Sequence, residues 1–289
     1  MHYIIVNELH LKGRNVKKLD TVKAVFDRAG IEYEVFKTTC RGHAKELAKS
    51  ITQESGNTIV AMGGDGTLHE ILNGFDNFEG NTLGLIPIGT GNDFATTAGI
   101  PKNVRAAAEI IAYRAPVYID YIQLSEGLRS LNAVGMGIDV EVLERVYSGN
   151  HHGKGKYLRS LVASLFKFKV LNFTAEYDGK TVSHYGLIAA LGNGRQIGGG
   201  IKLFPEAELS DGYMDLIIVD YISRAKLFGA LLKLMRGKVN KIKEATVKRV
   251  KSAKFIVEEE NFTIQAEGEL YKNVPIEAEI ISGRLKFYL

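Results

Sequence analysis

A chain of 289 residues, 45% hydrophobic and 24% charged, has room for one large or two ordinary globular domains and excludes a disordered or collagen-like protein. No apolar stretch approaches the ~20 residues of a membrane-spanning helix, and the opening Met-His-Tyr-Ile-Ile-Val-Asn turns polar too soon for a signal peptide. The single cysteine, Cys40, excludes an intrachain disulfide framework and fits a reducing cytoplasm, and the net charge of +4 is uneven: residues 1–120 carry 13 basic and 14 acidic side chains, the remainder 24 and 19.

The first 120 residues alternate between strand and helix signals. Strands are predicted at Tyr3–Val6, Ile31–Lys37, residues 58–62, Leu83–Pro87 and Val117–Ile122. Helices are predicted at Leu19–Ala29, Ala44–Ile51, residues 68–75 and Val104–Tyr113. Such alternation implies a mostly parallel sheet covered on both faces, with ligands at the carboxyl ends of its strands. Beyond residue 122 the pattern changes to strands at Ser130–Met136, Phe173–Tyr177, Lys180–Ala190, Tyr213–Val219, Ala253–Val257, Phe262–Ala266, Pro275–Ile281 and Leu285–Leu289. Turns such as Asp178-Gly179 and Ser282-Gly283 separate them. This half reads as an antiparallel β domain with helical insertions near 140–170 and 223–240. The expected division is therefore 1–122 and 123–289, with the last strand free to return to the first domain.

The most informative segment runs from Ile59 to Gly74. An apolar strand stops at Gly63-Gly64-Asp65-Gly66-Thr67, and a helical pattern follows through Leu68, Ile71 and Leu72. Glycines let the backbone turn and let a phosphate approach, and the helix N-terminus favours an anion. Asp65 would repel a bare anion, so the segment points to a nucleotide phosphate handled together with a divalent cation. It is neither a Walker A loop nor a G-x-G-x-x-G dinucleotide fingerprint. A second glycine turn, Ile88-Gly89-Thr90-Gly91-Asn92-Asp93-Phe94, also follows a strand.

Between Tyr221 and Ile256 eleven basic side chains stand against one acid, Glu244. Interleaved Leu227, Phe228, Leu231, Leu232, Leu234 and Met235 predict an amphipathic helix in the first half. The basic face is either merely solvated or attracted to an anionic membrane surface. No nucleic-acid-binding motif is present.

The two glycine turns together resemble the soluble diacylglycerol kinase and sphingosine kinase superfamily, in particular its bacterial lipid kinases. The resemblance continues through Leu191-Gly192-Asn193-Gly194 with Gly198-Gly199-Gly200, through Pro205-Glu206-Ala207 to Ser210-Asp211-Gly212-Tyr213, and through Glu267-Gly268-Glu269. It implies an α/β nucleotide domain of the NAD kinase/diacylglycerol kinase type plus a β-sandwich domain. It also implies transfer of the ATP γ-phosphoryl group to a lipid hydroxyl, diacylglycerol above all, with Mg2+. NAD kinases share Gly-Gly-Asp-Gly-Thr and the two-domain plan, and Gly-Thr-Gly-Asn-Asp-Phe argues for the lipid branch. A soluble-acceptor kinase and a non-catalytic nucleotide- or lipid-binding relative are the alternatives.

On this resemblance, phosphates lie over Gly63, Gly64, Asp65, Gly66 and Thr67, with Thr67 and Thr90 donating hydroxyl bonds. Asn7 and Thr38 are nucleotide contacts, Thr38 being equally readable as a strand-end turn cap. Asp65, Asp93 and Asp120 are the carboxylates for a magnesium–water network. Their plain readings are a helix cap for Asp93 and a surface strand-end charge for Asp120. Glu269 is the expected general base, with Asp65 as competitor and Glu267 orienting neighbours. Asp211, with backbone oxygens near Glu208 and Tyr213, is the expected ligand set of a structural magnesium. His69 is at most a hydrogen bonder to the nucleotide edge. The first βα turn, Asn7-Glu8-Leu9-His10-Leu11-Lys12-Gly13-Arg14, departs from the family's Asn-Pro-x-Ser/Ala-Gly, and Glu267 stands where the family has Asp. The implied partners are a lipid substrate and a peripheral membrane surface at the inner face of a cytoplasmic location. A homodimer is left open.

Overall fold

The computed structural model describes residues 1–8, 14–148, 168 and 170–289. Lys12, and residues 149–167 of the expected first helical insertion, lie outside the described residues. The chain divides into two compact units, one formed by Met1–Asp120 with Gly283–Leu289, the other by Tyr121–Ser282.

In the first unit the elements run β1 (His2–Asn7), α1 (Arg14–Ala29), β2 (Tyr33–Thr38), α2 (His43–Ile51), β3 (Thr58–Gly63), α3 (Asp65–Gly74), β4 (Thr82–Pro87), α4 (Asp93–Thr97) and α5 (Val104–Tyr113). β5 (Val117–Leu124) follows them. The sheet order is β2-β1-β3-β4 with all pairings parallel. β3, Thr-Ile-Val-Ala-Met-Gly, is buried at every residue, as a parallel strand covered on both faces must be. Val22, Val25 and Phe26 of α1 are buried on the side the helical spacing predicts.

The second unit contains β6 (Arg129–Ser130), β7 (Ala133–Gly137), α6 (Ile138–Ser148), β8 (Leu171–Tyr177), β9 (Lys180–Gly192), β10 (Met214–Asp220) and α7 (Arg224–Met235). It continues with β11 (Ala245–Val250), β12 (Ser252–Val257), β13 (Thr263–Ala266), β14 (Glu269–Lys272) and the part of β15 (Ile276–Phe287) before Gly283. Its pairings are antiparallel, with β9 bonded to β7, β8 and β10. Period-2 alternation sends Leu216 and Ile218 of β10 into one core, and Ile217 and Val219 into another beneath α6 and α7. Both faces are covered, which is why Met-Asp-Leu-Ile-Ile-Val-Asp is nearly all apolar. The observed architecture is the expected one, an α/β unit with a parallel sheet and a β-rich unit.

Two local expectations are corrected and one unpredicted strand is added. α3 begins at Asp65 and not at Leu68, so Asp65, Gly66 and Thr67 form its first turn, with Gly64 as N-cap. Ser282-Gly283 does not reverse the chain. β15 runs through it, Gly283 taking φ 60 within the strand. Its last residues pair in parallel with β4 (Lys286 with Thr82, Phe287 with Leu83), and Leu285 and Phe287 are fully buried. The basic segment is more than a helix: β11, paired antiparallel with β10, lies within it.

Candidate active site

The carboxyl ends of adjacent β2, β1, β3 and β4 bring Thr38, Asn7, Gly63 and Pro87 to one edge of the sheet. Asn7 is in register with Thr38, and Gly63 with Pro87. The two glycine turns cross there. The Gly63 carbonyl accepts from the N–H groups of Ile88 (2.9 Å) and Gly89 (3.2 Å). A Cβ on Gly64 would stand 3.1 Å from the Gly89 Cα, and one on Gly89 would stand 2.5 Å from the Gly64 Cα and 2.8 Å from Asn92 Oδ1. None of Gly63, Gly64, Gly89 and Gly91 has positive φ, so these glycines serve close approach rather than a sharp turn. Gly89→Ala is accordingly expected to cost about 1–3 kcal/mol through overpacking against rigid backbone. A urea midpoint equal to that of the parent would contradict this.

Asp65 ties the two turns together. Its Oδ2 accepts from the Asp93 N–H and its Oδ1 from the Phe94 N–H, both at 3.2 Å. The carboxylate thus caps α4, which explains an acid in a phosphate-type turn without invoking a cation. Asn92, at φ 54, is the N-cap residue, and its Nδ2 donates to the Gly89 carbonyl at 2.8 Å. Asp93 is buried inside the first turn of α4, while Thr90 is exposed. Thr67 stacks its side chain where a Cβ on Gly63 would go. Thr38 is buried.

Asp120 is not a surface strand-end charge. It sits within β5, 1% exposed, and its Oδ1 accepts from the Gly283 N–H at 2.7 Å. Among the described residues no group of three or more His, Cys, Asp or Glu side chains stands close enough to hold a metal ion. Asp65, Asp93 and Asp120 therefore form no ready-made cage. His69 is a buried residue: 4% exposed, it is pushed down to about 4 by burial and then by Arg41 and Lys45, and its Nδ1 lies 3.2 Å from Asn73 Nδ2.

In the second unit Glu267-Gly268-Glu269 forms the turn between β13 and β14. Glu267 has φ 54, a left-handed conformation that Asp adopts more readily than Glu. Its Oε1 accepts from Ser130 Oγ (2.5 Å) and from the Asn132 N–H (2.6 Å). Gly268 is held on both sides: its N–H donates to Gln265 Oε1 at 3.1 Å, and its carbonyl accepts from the Tyr147 hydroxyl at 2.5 Å. Glu269 is thus presented, half-buried, on a turn fixed at three points.

Asp211 faces a guanidinium. Arg249 pairs with its Oδ2 and lies 3.9 Å from Asp215 Oδ1, and Asp211 Oδ1 accepts from the Tyr213 N–H at 2.9 Å. Burial, then Glu206 and Glu208, push Asp215 up to about 6. The compensating charge expected from a cation is supplied here by Arg249. Glu208 is exposed.

The sequence reading missed a further acid. Asp139, at the start of α6, is 3% exposed, and burial pushes it up to about 6. Its Oδ1 accepts from the Val140 N–H at 3.0 Å, and the Gln265 side chain beside it offsets part of the burial cost. It is the one acid lining an otherwise apolar cavity of about 70 Å³, walled by Leu187, Ile201, Leu203, Ile222 and, from α7, Leu227, Ala230, Leu231 and Leu234. Gly198, Gly199 and Gly200, all at positive φ, close the tight loop between Ile197 and Ile201, which also line it. A lone acid between apolar neighbours, Gly-Ile-Asp-Val, was the available signal.

Two family descriptions match in series: the diacylglycerol kinase catalytic domain over residues 2–124 and the YegS C-terminal NAD kinase beta sandwich-like domain over residues 132–289. The diacylglycerol kinase of Bacillus subtilis (strain 168) is 32% identical over 78% of this chain and 76% of its own length. A probable lipid kinase YegS-like protein of Xanthomonas euvesicatoria is 29% identical over 96% and 94%. In fold, the chain resembles a crystal structure of a diacylglycerol kinase from Bacillus anthracis (TM-score 0.76, 21% identity, 99% and 96% covered). More distantly it resembles an NAD kinase from Archaeoglobus fulgidus in complex with ATP (TM-score 0.51, 14% identity, 100% and 94% covered). With the crossed glycine turns in one unit and the Glu-Gly-Glu turn in the other, the chain belongs to the diacylglycerol kinase/YegS-like lipid kinase family.

Proposed function

We propose that this kinase transfers the ATP γ-phosphoryl group to the hydroxyl of a membrane lipid, diacylglycerol foremost, to give phosphatidic acid. It acts from the cytoplasm at the inner membrane face. The observation that carries the lipid reading is the small apolar cavity with one buried acid, Asp139, in the β-rich unit: it suits a short apolar segment of a lipid beside a polar oxygen, and is too small and too apolar for a dinucleotide. The B. subtilis relative's name supports the acceptor class.

Phosphoryl transfer is mostly positioning and charge neutralisation. The N-terminus of α3 offers N–H groups without intrahelical partners, and the missing side chains at Gly63, Gly64 and Gly89 leave backbone open to phosphate oxygens. Thr67 and Thr90 add hydroxyl donors, and Asn7 and Thr38 flank them on the neighbouring strands. Mg2+, when bound, neutralises phosphate charge. Asp93, with Asp65 or Asp120 beside phosphate oxygens and water, suits a hard cation that takes only one or two carboxylates. Glu269 accepts the acceptor hydroxyl proton, and Glu267, Gln265 and Tyr147 hold its turn. Asp211 with Glu208 and Tyr213 remains the candidate set for a structural cation, in exchange with Arg249.

The test is a panel. Protein, magnesium and labelled ATP are incubated with micelles of diacylglycerol, a sphingoid base or a polyprenol, and with NAD. Label is expected in diacylglycerol. Label in NAD with none in any lipid would defeat the proposal.

A further inference from the structure

Helix α7 is apolar on two sides. Leu227, Ala230, Leu231 and Leu234 line the cavity. At the helical spacing i, i+4, i+7 on the outside lie Phe228, Leu232 and Met235; Phe228 is 66% exposed, more than any other large apolar side chain among the described residues, Met235 is exposed and Leu232 half-buried. A helix apolar all round is normally buried, so this outer stripe lacks its cover.

The surroundings say what the cover is. Residues 221–243 contain seven basic side chains and no acid. The backbone brings several of these cations together: the Lys238 N–H donates to the Lys233 carbonyl at 2.8 Å, and Lys233 Nζ donates to the Lys241 carbonyl at 2.9 Å. Lys226, Lys233, Arg236, Lys238, Lys241 and Lys243 are all exposed. Just before the helix, the rings of Tyr221 and Tyr185 meet at a tilt with centroids 5.8 Å apart and are 51% and 54% exposed, as aromatic side chains at a membrane–water boundary are.

We infer that the outer face of α7, with the Lys238–Lys243 segment, is the surface by which this protein docks on an anionic bilayer. Phe228, Leu232 and Met235 enter the headgroup boundary, and the lysines meet lipid phosphates. A second copy of the chain is a poorer occupant. A twofold contact sets the same patch against itself, which would place cations against cations with only Glu244, already 3.4 Å from Lys226 Nζ, to answer them. Docking on this face leaves the cavity one helix diameter, about 10 Å, from the acyl region. The inference rests on the lipid-kinase reading for its purpose only.

The chain has no tryptophan, so Phe228→Trp makes a sole reporter. With ATP and acceptor omitted, vesicles of phosphatidylglycerol are expected to shift its emission to the blue, vesicles of phosphatidylcholine are not, and added salt should reverse the shift. Adding Lys238→Glu and Lys243→Glu should weaken vesicle affinity by at least about 25-fold, about fivefold for each cation lost. Unchanged unfolding midpoints would show that both variants fold. Equal binding to both vesicle types, no shift with either, or a shift that follows protein concentration without vesicles would overturn the inference. Each of these can occur whether or not the lipid panel shows kinase activity, so failure here is distinguishable from failure of the kinase reading.

Discussion

Glu269→Gln is expected to lower kcat by about 10²–10⁴-fold, the usual cost of losing a general base, while ATP affinity changes little. The substitution keeps size and hydrogen bonding and removes only basicity. The turn has independent supports in Glu267, Gln265 and Tyr147, so its shape should survive. Steady-state turnover with labelled ATP and a lipid acceptor measures the loss, and nucleotide titration checks the affinity. The rival base, Asp65, already accepts two amide hydrogens from Asp93 and Phe94. Asp65→Asn would set an NH2 group against one of those N–H groups and cost about 1–3 kcal/mol of stability as well as activity. Near-normal turnover in Glu269→Gln, with Asp65→Asn inactive yet folded and binding ATP, would assign the base to Asp65.

Asp139→Asn is expected to change how stability depends on pH. Burial raises the carboxyl from its ordinary 3.8 to about 6 in the folded chain. The folded state therefore binds this proton more tightly than the unfolded state does. That contribution is complete below pH 3.8 and is lost as pH rises through about 6. A difference of about two units corresponds to about 3 kcal/mol at 1.36 kcal/mol per unit. At pH 7.5 the asparagine variant should be about 1–3 kcal/mol more stable than the parent, and near pH 4 the two should converge. Asp215 is raised in the same direction and titrates in both proteins, so the difference between them isolates Asp139. Urea unfolding at pH 4, 5.5 and 7.5 reads the effect. Parallel stability profiles for the two proteins would show that Asp139 does not carry the burial cost.

The alternation of strand and helix in the first 120 residues was legible because both periods were strong and each element lay within one short window. The same holds for β9 and β10, whose apolar runs announce burial on both faces. Failures came where a distant partner decides. Ser282-Gly283 carries a local turn signal, yet pairing with β4, some 200 residues earlier in the chain, and the Asp120 carboxylate carry the strand on through it. β11, Ala-Thr-Val-Lys-Arg-Val, hides within a run of cations because its side chains are mostly exposed, and its place is set by pairing with β10. Asp65 stood out as an acid within its glycine turn, but its bonds to residues 28 and 29 positions away did not. Asp139 was passed over because one acid in an apolar stretch has no spacing to recognise.

The last strand has a consequence for biosynthesis. Lys286 and Phe287 complete the parallel sheet beside β4, and the Phe287 ring meets Phe94, next to Asp93, at 5.2 Å. A ribosome delivers these residues only after the whole β-rich unit has been made. Until then the nascent α/β unit holds β4 with an unfilled edge and Phe94 without its ring partner, a state prone to pairing with other chains. The glycine turns therefore reach their final packing after synthesis has passed residue 287, and not as the α/β unit emerges. Early release of the chain would leave a kinase domain with every glycine motif in place and no stable setting for them.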